Sequence, residues 1–224
     1  MNKKLILYDI DGTLITTGGA GVRALNRAFA RLYKIEDAFR DIPMAGKTDI
    51  QIMKEGLISH GLKDLNGNLS DMQEMYLRFL KEEINNPMRS LKPGIMESIE
   101  MFRGMGMALG LLTGNLEKGA GIKLAAFGLN GYFADGAFGS DHEDRDMLLP
   151  IAIKKFSGRG LDFLPQDCVV IGDTPRDVRC AKIHGARAIA VATGPYSKEE
   201  LLDTGADIVL GTMQERGSCM GLFM

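Results

Sequence analysis

Two aspartates separated by one residue stand at the end of a short apolar segment near the start of the sequence. Asp9 and Asp11 follow the segment Leu5 to Tyr8 and begin the string Asp-Ile-Asp-Gly-Thr. Such a run, ending in charge and glycine, indicates a buried parallel strand whose carboxyl end opens into a loop, where α/β sheets place ligands. A solvated turn would explain either aspartate alone. Two carboxylates this close favour a bound cation or a proton shared with a substrate.

A second polar segment follows another apolar run later in the chain. Thr113, Gly114 and Asn115 come directly after the run that ends at Leu112. A hydroxyl followed by two exposed backbone N–H groups suits the oxygens of a phosphate. Such a turn is common punctuation by itself. Its predicted position at the same sheet edge as the aspartates favours a phosphate site.

A third apolar run ends in Gly172-Asp173, and a helix is predicted to begin immediately afterwards. Pro175 suits the first helical position, and Asp177 falls within the first turn. An acid in a first turn is also explained by the helix dipole. Asp173 has no such explanation. Oxygen ligands from Asp9, Asp173 and a backbone carbonyl would suit Mg²⁺, which prefers octahedral geometry and few carboxylates.

A phosphoryl group would also need a basic residue to balance its charge. Arg145 stands just before a predicted amphipathic helix from about Met147 to Phe156, and a guanidinium can bind phosphate bidentately. Lys154 and Lys155 are the alternatives, but they fall deep in that helix. The loop position favours Arg145.

The rest of the chain supplies elements that would position these residues. Short apolar runs alternate with helix-length amphipathic segments, which is typical of a βαβ succession. We therefore predict an α/β fold with a doubly wound, mostly parallel, Rossmann-like sheet of five strands. The predicted strands are Leu5 to Tyr8, Ala108 to Leu112, Cys168 to Ile171, Ala188 to Val191 and Ile208 to Leu210.

About a hundred residues separate the first two strands, far more than a crossover needs. Apolar residues repeat there at helical spacing, and the pairs Thr48 with Gln51 and Ser70 with Gln73 have the spacing of capping boxes at helix starts. Asn86-Pro87 indicates the end of the segment. The sequence thus predicts an inserted all-helical cap domain at residues 15–88 and a core domain formed by residues 1–14 and 89–224.

Composition excludes several classes of protein. The 224 residues carry 27 basic and 29 acidic side chains, and this net charge of −2 indicates no general attraction to nucleic acid or anionic membranes. No apolar stretch approaches the roughly 20 residues of a membrane helix, and the amino terminus lacks a signal-peptide pattern. Three widely spaced cysteines argue against disulfides and a cysteine-based zinc site. We expect a cytoplasmic protein with a small-molecule substrate; the sequence gives no oligomeric state.

Taken together, these motifs resemble those of the haloacid dehalogenase superfamily of phosphohydrolases, and more narrowly its phosphoglycolate-phosphatase-like branch with a helical cap. The first family motif, Asp-x-Asp-Gly-Thr, corresponds to residues 9–13, the second to Thr113, and the fourth, Gly-Asp-x-x-x-Asp, to residues 172–177. The third is usually a lysine followed by proline. Here Arg145 followed by Asp146 stands in its place.

The resemblance implies a Mg²⁺-dependent phosphatase acting on a small phosphate monoester, phosphoglycolate-like or a sugar phosphate. Asp9 would be the nucleophile that forms an aspartyl-phosphate. Asp11 would act as acid and base and offer its backbone carbonyl to the metal. The remaining implied roles are phosphate binding by Thr113, Gly114, Asn115 and Arg145, and metal binding by Asp173 and Asp177.

Three other functions can be compared with this one. By resemblance, dehalogenases lack the second aspartate because a halide needs no proton, so Asp11 argues against that reaction. A phosphomutase would use the same Asp9 and Asp11 and stays open. A non-catalytic phospholigand-binding protein gains nothing from acids crowded at an anion site, but the missing Lys-Pro pair keeps it open too.

Lys47 is the candidate substrate-binding residue of the cap. It precedes the predicted helix start at Thr48 and could meet an anionic group of the substrate, although a lysine there is more often a solvated charge. The glycine-rich stretch 18–21 could act as a hinge where the chain leaves the core. It lacks the lysine spacing of a nucleotide-binding P-loop.

Overall fold

The computed structural model describes residues 4–62 and 65–222 and contains one large parallel sheet. Its strands in chain order are β1 (Leu5–Tyr8), β4 (Ala108–Thr113), β5 (Asp135–Phe138), β6 (Cys168–Gly172), β7 (Arg187–Val191) and β8 (Ile208–Leu210). Their spatial order is β5-β4-β1-β6-β7-β8, with every pairing parallel. Strand β1 is therefore central, and all four of its residues are buried.

Helices cover both faces of this sheet. One face packs on α4 (Ile95–Gly104) and α5 (Glu117–Ala125) through an apolar cluster that includes Phe102 and Leu124. The other packs on α6 (Leu148–Ser157) and α7 (Pro175–Lys182), where Phe156 is fully buried. A short α8 (Lys198–Leu202) precedes β8. The predicted doubly wound α/β fold is confirmed.

The sheet has one strand more than the five predicted. The additional strand, β5, lies at the edge of the sheet and pairs only with β4. Its sequence Asp-Gly-Ala-Phe contains no β-branched residue and carries a glycine, so it lacks the composition by which strands are identified. Gly136 is required there because a Cβ atom would contact the backbone of Leu111 in β4 at 2.6 Å.

Among the described residues, the three helices that precede α4 share a separate apolar core. They are α1 (Ala20–Tyr33), α2 (Asp49–Ser59) and α3 (Leu65–Glu83), and their buried residues include Phe29, Met53 and Tyr76. No helix in the described ranges is long and apolar enough to cross a membrane. Helices thus make up most of the described part of the insert. The all-helical cap domain at residues 15–88 stays a prediction.

The helix start predicted at Ser70 is wrong. Helix α3 already includes Leu65, so Ser70 and Gln73 lie inside it. The apolar stripe of α3 continues upstream of Ser70 through Leu69 and Leu65, both of which pack against the buried core of the helices. Packing of that stripe outweighs the weak helix preference of the Asn-Gly-Asn segment between them.

The chain leaves and re-enters the sheet domain through a two-stranded antiparallel ribbon. Strand β2 (Ile15–Thr16) pairs with β3 (Ser90–Leu91), so the two crossing segments run side by side. The Asn86 side chain donates hydrogen bonds to the Glu83 carbonyl at 2.8 Å and to the Thr17 carbonyl at 2.9 Å. It thereby ties the end of α3 to the outgoing segment.

Helix α2 begins with the capping box predicted at Thr48. The Thr48 hydroxyl accepts from the Gln51 N–H at 3.2 Å, and the Gln51 side chain accepts from the Thr48 N–H at 3.3 Å. The same hydroxyl donates to the Glu143 carbonyl at 2.8 Å, so it also joins α2 to the loop before α6. This side chain is fully buried.

Removing that hydroxyl tests its double role. We expect Thr48→Ala to lower the free energy of unfolding by about 1–2 kcal/mol, because it removes a helix cap and leaves the part-buried Glu143 carbonyl without its donor. Thr48→Ser keeps the hydroxyl and should lose less than half as much. Urea unfolding followed by circular dichroism measures both variants. Equal losses would mean that the methyl group, rather than the cap, is responsible.

Candidate active site

The predicted site residues meet at the carboxyl edge of the sheet. Asp9 follows β1, Thr113 ends β4, and Asp173 follows β6. Strands β4 and β6 flank β1 in the sheet. These three side chains line a cavity of about 320 Å³. Asp11, Gly114, Asn115, Arg145 and Lys47 line the same cavity. Asp177, in the first turn of α7, is buried beside it.

Three carboxylates at this edge form a candidate cation site. Oxygen atoms of Asp9, Asp173 and Asp177 all lie within 4.8 Å of one another, and the three residues are buried. Burial raises the pKa of Asp9 to about 6, although Arg145 opposes this shift. Burial and then repulsion by Asp9 and Asp177 raise the pKa of Asp173 to about 8. The cluster carries more negative charge than its protein surroundings balance.

Two glycines allow the backbone to enclose Asp173. Gly12 adopts a left-handed φ of +83°, and a Cβ atom there would collide with the Asp173 carboxylate. A Cβ atom at Gly194 would collide with the same group. The Thr13 hydroxyl donates to Asp173 Oδ1 at 2.8 Å. Gly12 and Thr13 of the first motif therefore help to position the Asp173 carboxylate.

Arg145 lies between two of the acids. One guanidinium nitrogen, Nη2, is 3.1 Å from Asp9 Oδ1 and also pairs with Asp177, while Nη1 donates to the Gly46 carbonyl at 3.3 Å. Burial would lower the pKa of Arg145, but Asp177 and Asp9 raise it above the ordinary value. The side chain is 4% exposed, and its Nε atom is buried without a hydrogen-bond partner.

The two alternative cations are placed elsewhere. Lys155 binds Asp141 at 2.6 Å, and Lys154 is exposed on α6. Neither lines the cavity. Arg145 is thus the cation of this segment that reaches the acids, and its partners here are carboxylates. Its predicted role in phosphate binding stays a prediction.

Among the described residues, two side chains bind the Asp11 carboxylate, and one of them, Lys123, was not predicted. Its Oδ2 atom accepts from the Asn115 side chain at 2.8 Å and from the Lys123 ammonium at 2.6 Å. Lys123 also binds the Asn115 side-chain oxygen at 2.5 Å. Burial alone would lower the pKa of Lys123, but Asp11 and Asp49 raise it. These contacts hold the Asp11 carboxylate apart from the candidate cation site formed by Asp9, Asp173 and Asp177.

The helical segment contributes two further polar residues that were not predicted. Asp49 Oδ2 accepts from the Leu116 N–H at 2.9 Å, and the Asp49 N–H donates to the Gly114 carbonyl at 2.7 Å. Burial raises the pKa of Asp49 to about 6, against the attraction of Lys123. Tyr76 of α3 lines the cavity as well, and its pKa is raised by burial and by Asp49 and Asp11.

Lys47 reaches the cavity but is already paired. Its ammonium binds Glu55 Oε2 at 2.5 Å, and its side chain is 15% exposed. A Cβ atom at Gly114 would collide with the Lys47 carbonyl, so the glycine of the Thr-Gly-Asn turn allows this loop to approach. The substrate-binding role of Lys47 stays a prediction.

One signal in the sequence could have identified Lys123. It occupies the buried stripe of α5 together with Gly119, Ala120 and Leu124, where the helical period predicts an apolar residue. A lysine in such a stripe requires a buried acid as its partner. Asp49 carried no comparable signal, because an acid in a first helical turn is ordinary.

Comparison with known proteins agrees with this geometry. The family described as "Haloacid dehalogenase-like hydrolase" matches residues 6–191. A "Probable phosphatase IndB" from Dickeya dadantii is 25% identical, covering 95% of this chain and 91% of that protein. A "Phosphoglycolate phosphatase" from Rhodospirillum rubrum is also 25% identical, covering 97% of this chain and 91% of that protein.

Solved structures show the same fold at lower identity. CbbY from Rhodobacter sphaeroides, solved in complex with phosphate, superposes with a TM-score of 0.78 at 22% identity, covering 99% of this chain and all of that one. A predicted phosphoglycolate phosphatase from Haemophilus somnus gives 0.74 at 17% identity, covering 98% and 99%.

The chain belongs to the family of haloacid dehalogenase-like hydrolases. The match extends over most of the large sheet and includes the whole acid cluster. The resemblance inferred from the motifs is confirmed, and so is the prediction of a phosphatase-class enzyme on a Rossmann-like fold.

The donor set fits a divalent cation. Asp9, Asp173 and Asp177 supply only oxygen atoms, which hard cations such as Mg²⁺ prefer over nitrogen or sulfur ligands. Burial, and then repulsion by neighbouring acids, raises the pKa values of Asp9 and Asp173, and a bound cation would stabilise their charged forms. The identity of the cation as Mg²⁺ is a proposal.

The crowded acids predict how stability depends on pH without a divalent cation. Asp9 and Asp173 have folded-state pKa values of about 6 and about 8, above the ordinary 3.8. Between pH 3.8 and these values, the folded state therefore binds more protons than the unfolded state. The stability they contribute is present at low pH and is lost as pH rises through those values. We expect a lower melting temperature at pH 8 than at pH 5.5 in EDTA.

Magnesium should reverse that loss, raising the melting temperature more at pH 8 than at pH 5.5, because protons compete with the cation at low pH. Asp173→Asn serves as the matched variant, since it removes one of the crowded charges. It should flatten the pH profile in EDTA and weaken the response to Mg²⁺. A wild-type melting temperature that rises between pH 5.5 and 8 in EDTA would contradict the assignment.

Proposed function

We propose that the protein is a Mg²⁺-dependent phosphatase that hydrolyses a small phosphate monoester through an aspartyl-phosphate on Asp9. The observation that carries this proposal is the separation of two aspartates of one motif into different surroundings. Asp9 is buried beside Arg145, Asp173 and Asp177, whereas the side chain of Asp11 is 42% exposed and faces Asn115 and Lys123. One aspartate thus suits attack, and the other suits proton transfer.

In the first step, an Asp9 carboxylate oxygen would attack phosphorus as the ester P–O bond breaks. Arg145 holds Asp9 Oδ1 at 3.1 Å and so restricts how the nucleophile can rotate. The leaving alkoxide would take a proton from Asp11, which lines the same cavity. Thr113 and the backbone amides of Gly114 and Asn115, which line the cavity, would bind the phosphoryl oxygens.

In the second step, Asp11 would return to its proton-bearing form. Its carboxylate would take a proton from a water molecule whose oxygen attacks phosphorus, releasing phosphate and the free Asp9 carboxylate. A divalent cation held by Asp9, Asp173 and Asp177, with the Asp11 carbonyl, would neutralise charge on the phosphoryl group. Arg145 would keep Asp177 oriented throughout, since it pairs with both acids.

The size of the cavity supports a small ester as substrate. About 320 Å³ accommodates a phosphate with a short organic group, and the walls beyond the acids come from α1, α2 and α3. Leu25 and Ile52 are apolar residues of that wall, and the cationic Lys47 lines the cavity just before α2. Relatives named phosphoglycolate phosphatase favour a phosphoglycolate-like substrate, and a sugar phosphate would also meet these requirements.

Replacing the nucleophile tests the proposal directly. Asp9→Asn should reduce phosphate release by at least about a thousandfold, because an amide oxygen is a poor nucleophile and one ligand charge is lost. Release would be measured over glycolate, sugar, nucleotide and aryl phosphates with Mg²⁺ or EDTA. Asp203→Asn, an exposed acid outside the cavity, is the matched control and should behave as wild type.

Two outcomes would contradict the proposal. Full activity in a folded Asp9→Asn protein would remove Asp9 as the nucleophile. Absence of release from every ester by folded wild-type protein would favour a phosphomutase or a binding protein. A mutase would be recognised by transfer of labelled phosphate between two sugar positions.

Arg145 provides a second, independent test. Arg145→Met removes the charge while keeping a long side chain, and we expect a loss of about a hundredfold or more in kcat/KM because Asp9 and Asp177 lose their shared partner. Arg145→Lys keeps one cation and should retain more than a tenth of the activity. Comparable losses in the two variants would show that the guanidinium shape, rather than the charge, is required.

A further inference from the structure

We infer that Lys123 is a positioning residue that fixes Asp11 for proton transfer to the leaving group. The inference rests on the proposed phosphatase function and adds a residue from α5 to it. Lys123 lies outside the motif segments from which the other site residues were identified. It reaches the site from the buried face of a helix, eight residues after Asn115.

The contacts of Lys123 converge on one oxygen atom. Its ammonium lies 2.6 Å from Asp11 Oδ2 and 2.5 Å from the side-chain oxygen of Asn115. The amide nitrogen of Asn115 lies 2.8 Å from the same Asp11 oxygen and also donates to Thr113. Asp11, Asn115 and Lys123 thus form a closed triangle of polar contacts, which permits one orientation of the carboxylate.

The burial of this ion pair is uneven. The Lys123 side chain is 4% exposed, whereas that of Asp11 is 42% exposed. Placing an ammonium in an apolar helix face costs free energy, and an aspartate that is almost half exposed does not need a buried partner for its own solvation. The buried Asp49 offsets part of that cost through its charge, but the ammonium forms its hydrogen bond with Asp11. The placement is explained if Lys123 serves the orientation of Asp11.

The geometry also assigns different tasks to the two oxygens of Asp11. Asn115 and Lys123 occupy both acceptor directions of Oδ2, since a carboxylate oxygen offers about two lone-pair sites. The proton given to the leaving alkoxide, and later taken from water, is therefore exchanged at Oδ1. Loss of Lys123 would free the carboxylate to rotate, and such misplacement is costly for proton transfer.

Leaving-group dependence distinguishes positioning of the acid from general damage. An alkoxide must be protonated as it leaves, whereas p-nitrophenolate is a stable anion that needs no proton. We expect Lys123→Met to slow transfer of the phosphoryl group to the enzyme from an alkyl phosphate by about tenfold to a hundredfold more than from p-nitrophenyl phosphate. Rapid-quench single-turnover measurements give both rates with the same enzyme preparation.

Matched variants complete the experiment. Lys118→Met places the same substitution at an exposed position of α5 and should leave both rates unchanged. Asp11→Asn should reproduce the pattern of Lys123→Met with a larger difference. Lys123→Arg keeps a cationic donor and should restore part of the alkyl-ester rate. The ratio of the two rates does not depend on the folded fraction, and Lys123→Gln is compared in the same way if the methionine variant does not fold.

The outcomes separate this inference from the proposed function. Equal slowing with the two esters in Lys123→Met, or no slowing with either, would overturn the positioning role while leaving the phosphatase intact. No turnover by wild-type protein, or full turnover by Asp9→Asn, would instead overturn the proposed function. A selective loss with the alkyl ester that Lys123→Arg partly reverses would establish the role.

Discussion

Electrostatic repulsion among buried carboxylates is the constraint around which this site is built. Asp9, Asp173 and Asp177 are brought together because parallel strands and the helix after β6 all end or begin at one edge of the sheet. Arg145 offsets part of their charge and is itself buried by the contact. A phosphoryl group can approach such an edge only where cations outweigh the acids. The burial that suits these acids to a cation therefore also makes their ionised forms costly as pH rises.

The second aspartate is excluded from that cluster by a separate set of contacts. Lys123 and Asn115 draw the Asp11 carboxylate toward α5. The two acids, which are separated by one residue, therefore have different electrostatic surroundings. Without this division, both would be drawn into the same competition for a cation. The strand supplies the spacing, but the neighbouring helix supplies the chemical difference between the two positions.

The sequence predicted those features that depend on local pattern. All five predicted strands have apolar or β-branched runs and were located within one residue at each end. The capping box at Thr48 and the proline at the start of α7 were found because they too are local patterns. The edge strand β5 was not predicted, because its sequence lacks the composition of a strand and its residues are buried by packing against neighbouring elements. The partners of Arg145 and the approach of Lys123 depend on long-range packing, which no spacing within one segment records.

Helix α5 begins without a capping side chain of its own, since Leu116 occupies the capping position. Asp49, at the start of α2, binds the Leu116 N–H instead, so the two halves of the molecule complete one helix terminus together. Exchange of the helical segment between relatives would therefore affect this hydrogen bond. A chimera that takes α1–α3 from a relative would need to bring an acceptor at the position of Asp49, or the Leu116 N–H of the recipient core would lose its hydrogen-bond partner.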